Sequence, residues 1–347
     1  MTMTYDPILV TGGTGFLGRV LIDRLIAGGA RVRALVLESD PAADRLPPEA
    51  ERVTGDVTDY RSLEAFFGGD LSRACVIHAA GVISIATRKN PALRKVNVEG
   101  TRNIADRCAA HGAARLVSVG TVHAIPEKPK GEIMSEVSVF SPDAVRGQYA
   151  KSKAEAARIA LEAAERGVSV SVAQPSGIIG PFDEKRGSIT SAIIGFCQGK
   201  IRFAADGGYD FVDVRDAADG ILACCEKGRS GECYILSGRC VRLREIFSHL
   251  SRAGYGREPL YLPLPVVRAA AFFTEAHSIL RKTPLFLTPY SAHTLGSNAL
   301  FSHEKASREL GYRPRALCET LDDTLAWLRA EGAIPAGRKS GRAGRSS

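Results

Sequence analysis

Ile8-Leu9-Val10-Thr11-Gly12-Gly13-Thr14-Gly15-Phe16-Leu17-Gly18 runs an apolar segment into a glycine turn. The apolar run reads as a buried strand. Glycines at 12, 15 and 18 permit torsions and close approaches that a Cβ would block. A helix is predicted from Arg19 to Leu25 behind them. Its free N–H groups and positive dipole end make a ready pyrophosphate site. A glycine trio alone marks many ordinary turns, but strand, turn and helix in this order fit the dinucleotide fingerprint.

Outward from this turn, strands and helices alternate. Arg31–Leu37 reads as a second strand after the helix stop Gly28-Gly29, and Arg52-Val53 leads a third to Gly55-Asp56-Val57. Ala74–His78 and Arg115–Val119 read as the fourth and fifth, with a helix over Asn97–Cys108 between them. A strong helix over Gln148–Glu165 precedes a sixth strand, Val168–Ala173, stopped by Pro175 and Gly177. This pattern predicts an α/β fold, a doubly wound parallel sheet covered on both faces. Further on, a helix is expected over Ser188–Gly199, a strand over Gly207–Val214, a helix over Arg215–Lys227 and a strand over Cys233–Leu236. The rest, Val241–Arg329, is mostly helical. The stretch Val266–Leu280 carries Arg268, Glu275 and His277, and reads as an amphipathic helix lining a pocket or core. The organisation expected is a dinucleotide-binding core over 1–180, to which 209–240 returns. A smaller, mostly helical substrate-binding region takes 181–208 and 241–330, and a basic tail, 331–347, is expected to be disordered.

A chain of 347 residues accommodates one large α/β domain with such an appendage. Half of its +8 net charge comes from Arg338, Lys339, Arg342 and Arg345, in a Gly/Ser-rich segment without acids that reads as a solvated tail. The charge left on the body does not call for a polyanion, so no nucleic-acid partner is expected. The 8 cysteines show neither CxxC pairing nor metal-ligand spacing with histidine, so no metal is expected. No basic-plus-apolar leader precedes the first strand, and no uncharged run approaches the ~20 residues that span a bilayer. A reducing cytoplasm and no membrane partner are the expectations.

Ligands of open α/β sheets bind outside the carboxyl ends of the strands. That rule selects the glycine turn, Val36–Glu38, Asp56-Val57, His78–Gly81, Gly120-Thr121 and Pro175–Pro181. A second informative group is Tyr149-Ala150-Lys151-Ser152-Lys153, where Tyr149 and Lys153 are spaced to share one helix face. A phenol of pKa about 10 is a poor acid–base group at neutral pH. A neighbouring ammonium favours its phenolate, and a lysine there can also bind ribose hydroxyls. Lys151, two residues on, points to another face.

Together, the Thr11–Gly18 turn, Asp56 after the third strand, His78-Ala79-Ala80-Gly81 after the fourth, and Tyr149-x-x-x-Lys153 resemble the extended short-chain dehydrogenase/reductase superfamily, whose core is a Rossmann-type fold. The likeness covers roughly residues 5 to 330, including Pro175–Pro181 and Asp210–Asp216. It is similar in particular to the dihydroflavonol-reductase-like branch. The resemblance implies roles residue by residue. Gly12, Thr14, Gly15, Phe16, Leu17 and Gly18 would cradle the pyrophosphate. Leu37 would lie at the adenosine ribose, Asp56 and Val57 at the adenine, and Ala79, Ala80 and Gly81 in mid-cleft. Pro175, Gly177 and Ile178 would lie against the nicotinamide. Tyr149 would protonate the forming alkoxide, while Lys153 would hold the ribose and depress the phenol pKa.

The third catalytic hydroxyl has two candidates. Thr121 follows Gly120 at the strand's carboxyl edge and is preferred; Ser118 lies within the strand. His123 would face substrate or cap its turn, and Ser176 would approach substrate. His78 reads as a packed strand-end residue, and Asn97 as a helix cap or, by resemblance, a water relay. At the end of the second strand, Val36 stands where NAD-type members carry Asp, and Leu37 where NADP-type members carry Arg. Glu38 could reach a 2′-hydroxyl, and Arg19 or Arg33 a 2′-phosphate. The cofactor is thus NADP or NAD, the missing acid favouring NADP.

Absences narrow the reaction. Val122-His123 follow Thr121 where sugar-nucleotide dehydratases of the superfamily carry Asp-Glu. Ser176-Gly177 replace the epimerases' Phe-Asn, and Tyr209 replaces their diphosphate-binding Arg. The proline-rich stretch Pro284–Tyr290 suits an apolar pocket. An NAD(P)-dependent carbonyl reductase with a small, largely apolar substrate is therefore expected. A nucleotide-sugar epimerase with tightly bound NAD, or a non-catalytic NADP-binding protein, stands as the alternative. A homodimer through Gln148–Glu165 is expected by analogy.

Overall fold

The structure, a computed structural model, describes residues 3–87, 90–281 and 287–337. In chain order its first strands and helices are β1 (Ile8–Thr11), α1 (Phe16–Ala27), β2 (Val32–Val36), β3 (Glu51–Thr54), β4 (Cys75–His78), α2 (Gly100–Ala110), β5 (Arg115–Val119) and α3 (Gln148–Glu162). There follow β6 (Ser169–Pro175), β7 (Gly177–Ile179), α4 (Ser188–Cys197), β8 (Phe203–Ala205), β9 (Gly208–Asp213), α5 (Val214–Lys227) and β10 (Glu232–Leu236). The last are β11 (Arg239–Arg242), α6 (Leu243–Arg252), β12 (Leu260–Leu262), α7 (Leu264–Arg281), α8 (Pro289–Thr294), α9 (Glu304–Leu310) and α10 (Leu317–Ala330).

Seven strands form one parallel sheet in the order β3-β2-β1-β4-β5-β6-β10, the doubly wound Rossmann-type arrangement. Strand alternation divides β1 between two cores: Ile8 and Val10 join one, Leu9 the other. On the first face lie Leu21, Ile22 and Leu25 of α1 with Ala217 and Ile221 of α5. On the second lie Ile104 and Cys108 of α2 with Ala150, Ala154 and Ala157 of α3. The order reverses at β1, which is flanked by β2 and β4, so a crevice opens at its carboxyl end.

The glycine turn closes this crevice by backbone contact. Gly12 adopts φ +73°, and a Cβ there would meet Ala80 N at 2.6 Å. A Cβ on Gly18 would sit 2.0 Å from Gly12 O. The turn is therefore nested between β4 and α1 at distances that only glycine permits.

Several boundaries differ from expectation. Pro175 does not stop β6; it pairs with Leu236, and the chain after it leaves the sheet as β7. β7 pairs with β9, which in turn pairs with β11, in a second three-stranded sheet. Gly177 allows this, because a Cβ there would meet Asp210 O at 3.0 Å. Of segment 209–240, then, β10 joins the main sheet and α5 its face, while β9 lies in the small sheet. Asn97 caps nothing: it lies inside a π-helical turn, Leu93–Glu99, that runs straight into α2. Within the tail expected from residue 331, Ala333 and Ile334 are instead packed, buried with Leu325 and Leu328. Gln198 Nε2 also donates to Ala333 O at 3.0 Å. The tail's four cations, at 338–345, lie outside the described residues.

No helix among the described residues is long and apolar enough to cross a membrane. No group of three metal-ligating side chains occurs among them either.

Candidate active site

The cofactor cradle is built by the first βα turn. Gly15 caps α1 without a side-chain hydrogen bond, and the first turn carries no acid. Its leading N–H groups are thus left for an anion, and the dipole favours one. Phe16 and Leu17 pack on the core beneath. Ala80 N donates to Thr11 Oγ1 at 3.2 Å, holding the Ala79–Gly81 corner over the turn. Gly81 lies near the far end, where its missing Cβ would be 3.3 Å from Asn97 Oδ1 and 3.7 Å from Lys153 Nζ. Asp56 Oδ1 accepts Thr58 N at 2.8 Å, and Val57 O accepts Asn103 Nδ2 at 2.8 Å, so this corner is anchored to α2. The residues present fit a dinucleotide with its pyrophosphate at Gly12–Gly18.

One neighbour of the turn was not foreseen. Thr14 Oγ1 donates to Asp40 Oδ2 at 2.6 Å, and that hydrogen bond holds the Asp40 carboxyl below its usual range. An acid therefore reaches the glycine turn after all, from four residues beyond Val36. Arg33 is unavailable for a phosphate: it bonds Glu51 Oε2 at 2.8 Å and Gly68 O at 2.8 Å. Leu37 is exposed at the strand end.

At the other end of the crevice, α3 and the β5 edge bring Tyr149, Lys153 and Thr121 together. Lys153 Nζ donates to Val119 O at 2.7 Å, the last residue of β5. Thr121 is buried, and its Oγ1 accepts His123 N at 3.3 Å. Ser118 lies inside β5, opposite His78 of β4. Burial pushes the Tyr149 phenol up to about 12, while the hydrogen bond from the Thr121 side chain pulls the other way. Burial pulls Lys153 down to about 8. The expected depression of the phenol by Lys153 is thus absent: the ammonium is held on a strand carbonyl, and burial dominates. At neutral pH Tyr149 is a phenol that can donate a proton, beside a lysine still largely charged.

Asn97 fastens this end. Its Oδ1 accepts Val82 N at 2.8 Å, and its amide donates to Val82 O and Ser152 Oγ, each at 3.0 Å. Ser152 Oγ in turn donates to Tyr149 O at 2.8 Å. His78 is packed: its ring nitrogens meet Thr11 Oγ1 at 2.8 Å and Thr101 Oγ1 at 3.1 Å, and burial takes its pKa to about 3.

Beside Tyr149 lies a cavity of about 300 Å³. The His123 ring stacks on Tyr209 with centroids 5.2 Å apart and meets Tyr149 edge-on at 6.0 Å. Tyr209 Oη lies 2.9 Å from His123 Nε2, and Tyr290 Oη 3.3 Å from Nδ1. Burial lowers His123 to about 4, so it is neutral. Tyr290 fills the space over Gly147, where a Cβ would be 2.3 Å from its ring. The lining includes the apolar Ile125, Met134 and Phe301 and also Glu127 and His293, whose side chains pair at 3.3 Å. The lining is therefore mixed, not the apolar wall expected from Pro284–Tyr290. Residues 284–286 lie outside the described residues, and Thr288 caps α8 rather than lining an apolar surface.

Pro175, Gly177 and Ile178 sit where β6 leaves for the small sheet. Ser176 between them is buried, next to Asp210, whose carboxyl burial raises to about 6. Asp40, Tyr209, Asp210, Glu127 and His293 were not among the expected site residues. Tyr209 and Asp210 are neighbours in a stretch that the resemblance already marks, whereas Asp40, Glu127 and His293 come from separate segments that no local spacing marks.

A model of the NAD-dependent epimerase/dehydratase family matches residues 8–236. Sterol demethylase protein B of Methylococcus capsulatus is 30% identical over 332 residues, 94% of this chain and 99% of that protein. The 4-hydroxy-2-methyl-3-oxo-4-farnesyl-3,4-dihydroquinoline-1-oxide ketoreductase of Stigmatella aurantiaca is 28% identical over 337 residues, 94% of this chain and 98% of that one. The crystal structure of gox2253 is similar with a TM-score of 0.82 at 27% identity, covering 95% of this chain and 100% of that one.

Proposed function

This chain belongs to the NAD-dependent epimerase/dehydratase family, within the extended short-chain dehydrogenase/reductase superfamily, and on that premise we propose that it reduces a carbonyl, or oxidises the matching alcohol, on a largely apolar substrate. The observation that carries the reading is the meeting of Thr121, Tyr149 and Lys153 beside Gly81, with the aromatic cavity adjoining. Two relatives support the substrate class, one named for a sterol and the other a ketoreductase of a farnesylated compound.

A nicotinamide bound at this end supplies or accepts hydride. Thr121 orients the substrate oxygen, and Tyr149 gives it a proton as the alkoxide forms. Lys153, anchored on Val119 O, holds the ribose. The mixed cavity takes an apolar body between Ile125, Met134 and Phe301, with a polar end towards Glu127 and His293. A screen of ketones and aldehydes with NADH and NADPH tests this reading. Stoichiometric cofactor oxidation supports it; a purified protein that carries bound NAD and shows no net oxidation favours the epimerase instead.

The pH dependence has a definite sign. Tyr149 stays protonated through neutral pH, so it does not limit reduction there. Lys153 carries its charge below about 8 and loses it above. The kcat/KM for reduction is expected to be flat at neutral pH and to fall as pH rises through about 8. A rate that climbs across that range contradicts the role given to Lys153.

The 2′ group is read from Asp40. The missing acid at Val36 favours NADP, but the Asp40 carboxylate bonded to Thr14 opposes a 2′-phosphate. NADH is expected to bind more tightly than NADPH, and Asp40→Ala to narrow the gap by about tenfold. Fluorescence titration of both cofactors measures it, and an unchanged ratio in the variant removes Asp40 from the account.

A further inference from the structure

Helix α7 buries one narrow stripe, Val267, Ala271 and Glu275, and turns the rest of its surface outward. The expected role of Val266–Leu280 as a pocket or core lining therefore fits only that stripe. Outward lie Phe273 and Leu280, 78% and 81% exposed, together with Phe272, Val266 and Ile279. Side chains of this size are seldom left in water as a contiguous face without a partner.

The exposed charged side chains that α7 itself carries, Arg268 and Arg281, are both cationic. The single acid of α7, Glu275, is buried and accepts Thr87 N at 2.8 Å. The exposed end carries Arg281, followed in sequence by Lys282. The segment that Glu275 holds, Val82–Thr87, contains no acid, exposes Ile83 and continues in sequence into Arg88-Lys89. Thr288 Oγ1 also donates to Ile85 O at 2.7 Å, tying this segment to α8 and hence to Tyr290 at the cavity. The helix with the apolar face thus adjoins the elements that line the candidate site.

We propose that α7 and the Val82–Thr87 segment form a peripheral docking surface for an anionic phospholipid bilayer. The aromatic side chains would enter the headgroup–acyl boundary, and the cations would meet lipid phosphates. The helix lies on the surface and does not span: Arg268, Glu275 and His277 interrupt it. A second copy of the chain is a poorer occupant, because a twofold contact would set the exposed Arg268 and Arg281 of one α7, with no exposed acid on that helix, against the same residues of the other. Docking here would open the site toward a compartment in which an apolar substrate is dissolved, a consequence that rests on the proposed function.

Vesicle flotation tests the surface without cofactor or turnover, so its outcome is independent of the reaction. The full-length protein is expected to float with phosphatidylcholine/phosphatidylglycerol vesicles, to float poorly with phosphatidylcholine alone, and to be released by salt. The double variant Phe272→Ser, Phe273→Ser is expected to bind at least about tenfold more weakly, with an unchanged melting temperature. Arg281→Glu is expected to weaken binding in the same direction. Absence of vesicle binding overturns the proposal, as does binding undiminished in the double variant, which the basic tail alone would give. Lipid-free self-association that the double variant abolishes overturns it in favour of a second copy.

Discussion

Replacing Tyr149 with Phe is expected to lower kcat for carbonyl reduction about a hundred- to ten-thousand-fold, the range supplied by a positioned general acid. The ring keeps its packing, and only a buried hydroxyl disappears. Affinity for the cofactor and the melting temperature should therefore stay near wild type. No neighbour can take over the proton transfer. The His123 ring is neutral, with both nitrogens engaged by Tyr209 and Tyr290. Thr121 is too weak an acid, and Lys153 is bound to Val119 O. Steady-state kinetics with binding titrations on the same sample separate the two effects. A variant that loses kcat and cofactor binding together would point to a structural defect instead.

The second large effect is expected at Gly18. An added methyl would lie 2.0 Å from Gly12 O and 2.9 Å from Gly13 Cα, both backbone atoms. Neither can rotate away as a side chain would. Gly18→Ala must lift α1 off the turn, moving the N–H groups proposed to bind the pyrophosphate. A cost of about 1–3 kcal/mol is expected for such overpacking, and cofactor binding should weaken about ten- to a hundred-fold for the same reason. Calorimetric titration of NADH and NADPH reads it. Gly29, by contrast, has open space around its missing Cβ, but its φ of +79° would strain an alanine there. Gly29→Ala is therefore a control that loses stability and keeps cofactor affinity.

Much of the fold is legible because its signals are local. The apolar run at Ile8–Val10, the glycine turn and the alternation of short strands with helices each depend on neighbours a few residues apart, and the seven-stranded parallel sheet follows from them. Tyr149 and Lys153 are visible for the same reason, lying one helical turn apart. What is not legible depends on distant partners. Asp40 meets Thr14 across 26 residues, and His123 meets Tyr209 across 86 and Tyr290 across 167. Pro175 and Gly177 read as breakers because β7 has no local mark: its partner β9 begins some 30 residues later. Asn97 reads as a cap because only the folded chain sets its amide against Val82. The burial that raises Tyr149, against the lowering expected from Lys153, likewise exists only after folding. The outward face of α7 belongs with these, since periodicity shows an apolar side but not what covers it.

Hydride tracing follows the proposed transfer itself. A nicotinamide cofactor deuterated at its transferable position is incubated with the protein and the best carbonyl from the screen, and the product is analysed by mass spectrometry and NMR. Net cofactor oxidation, with deuterium on the new carbinol carbon of the wild-type product and a rate cut by Tyr149→Phe, is the expected result. Deuterium retained by the cofactor with no net oxidation, or transfer at an unchanged rate in Tyr149→Phe, would contradict it.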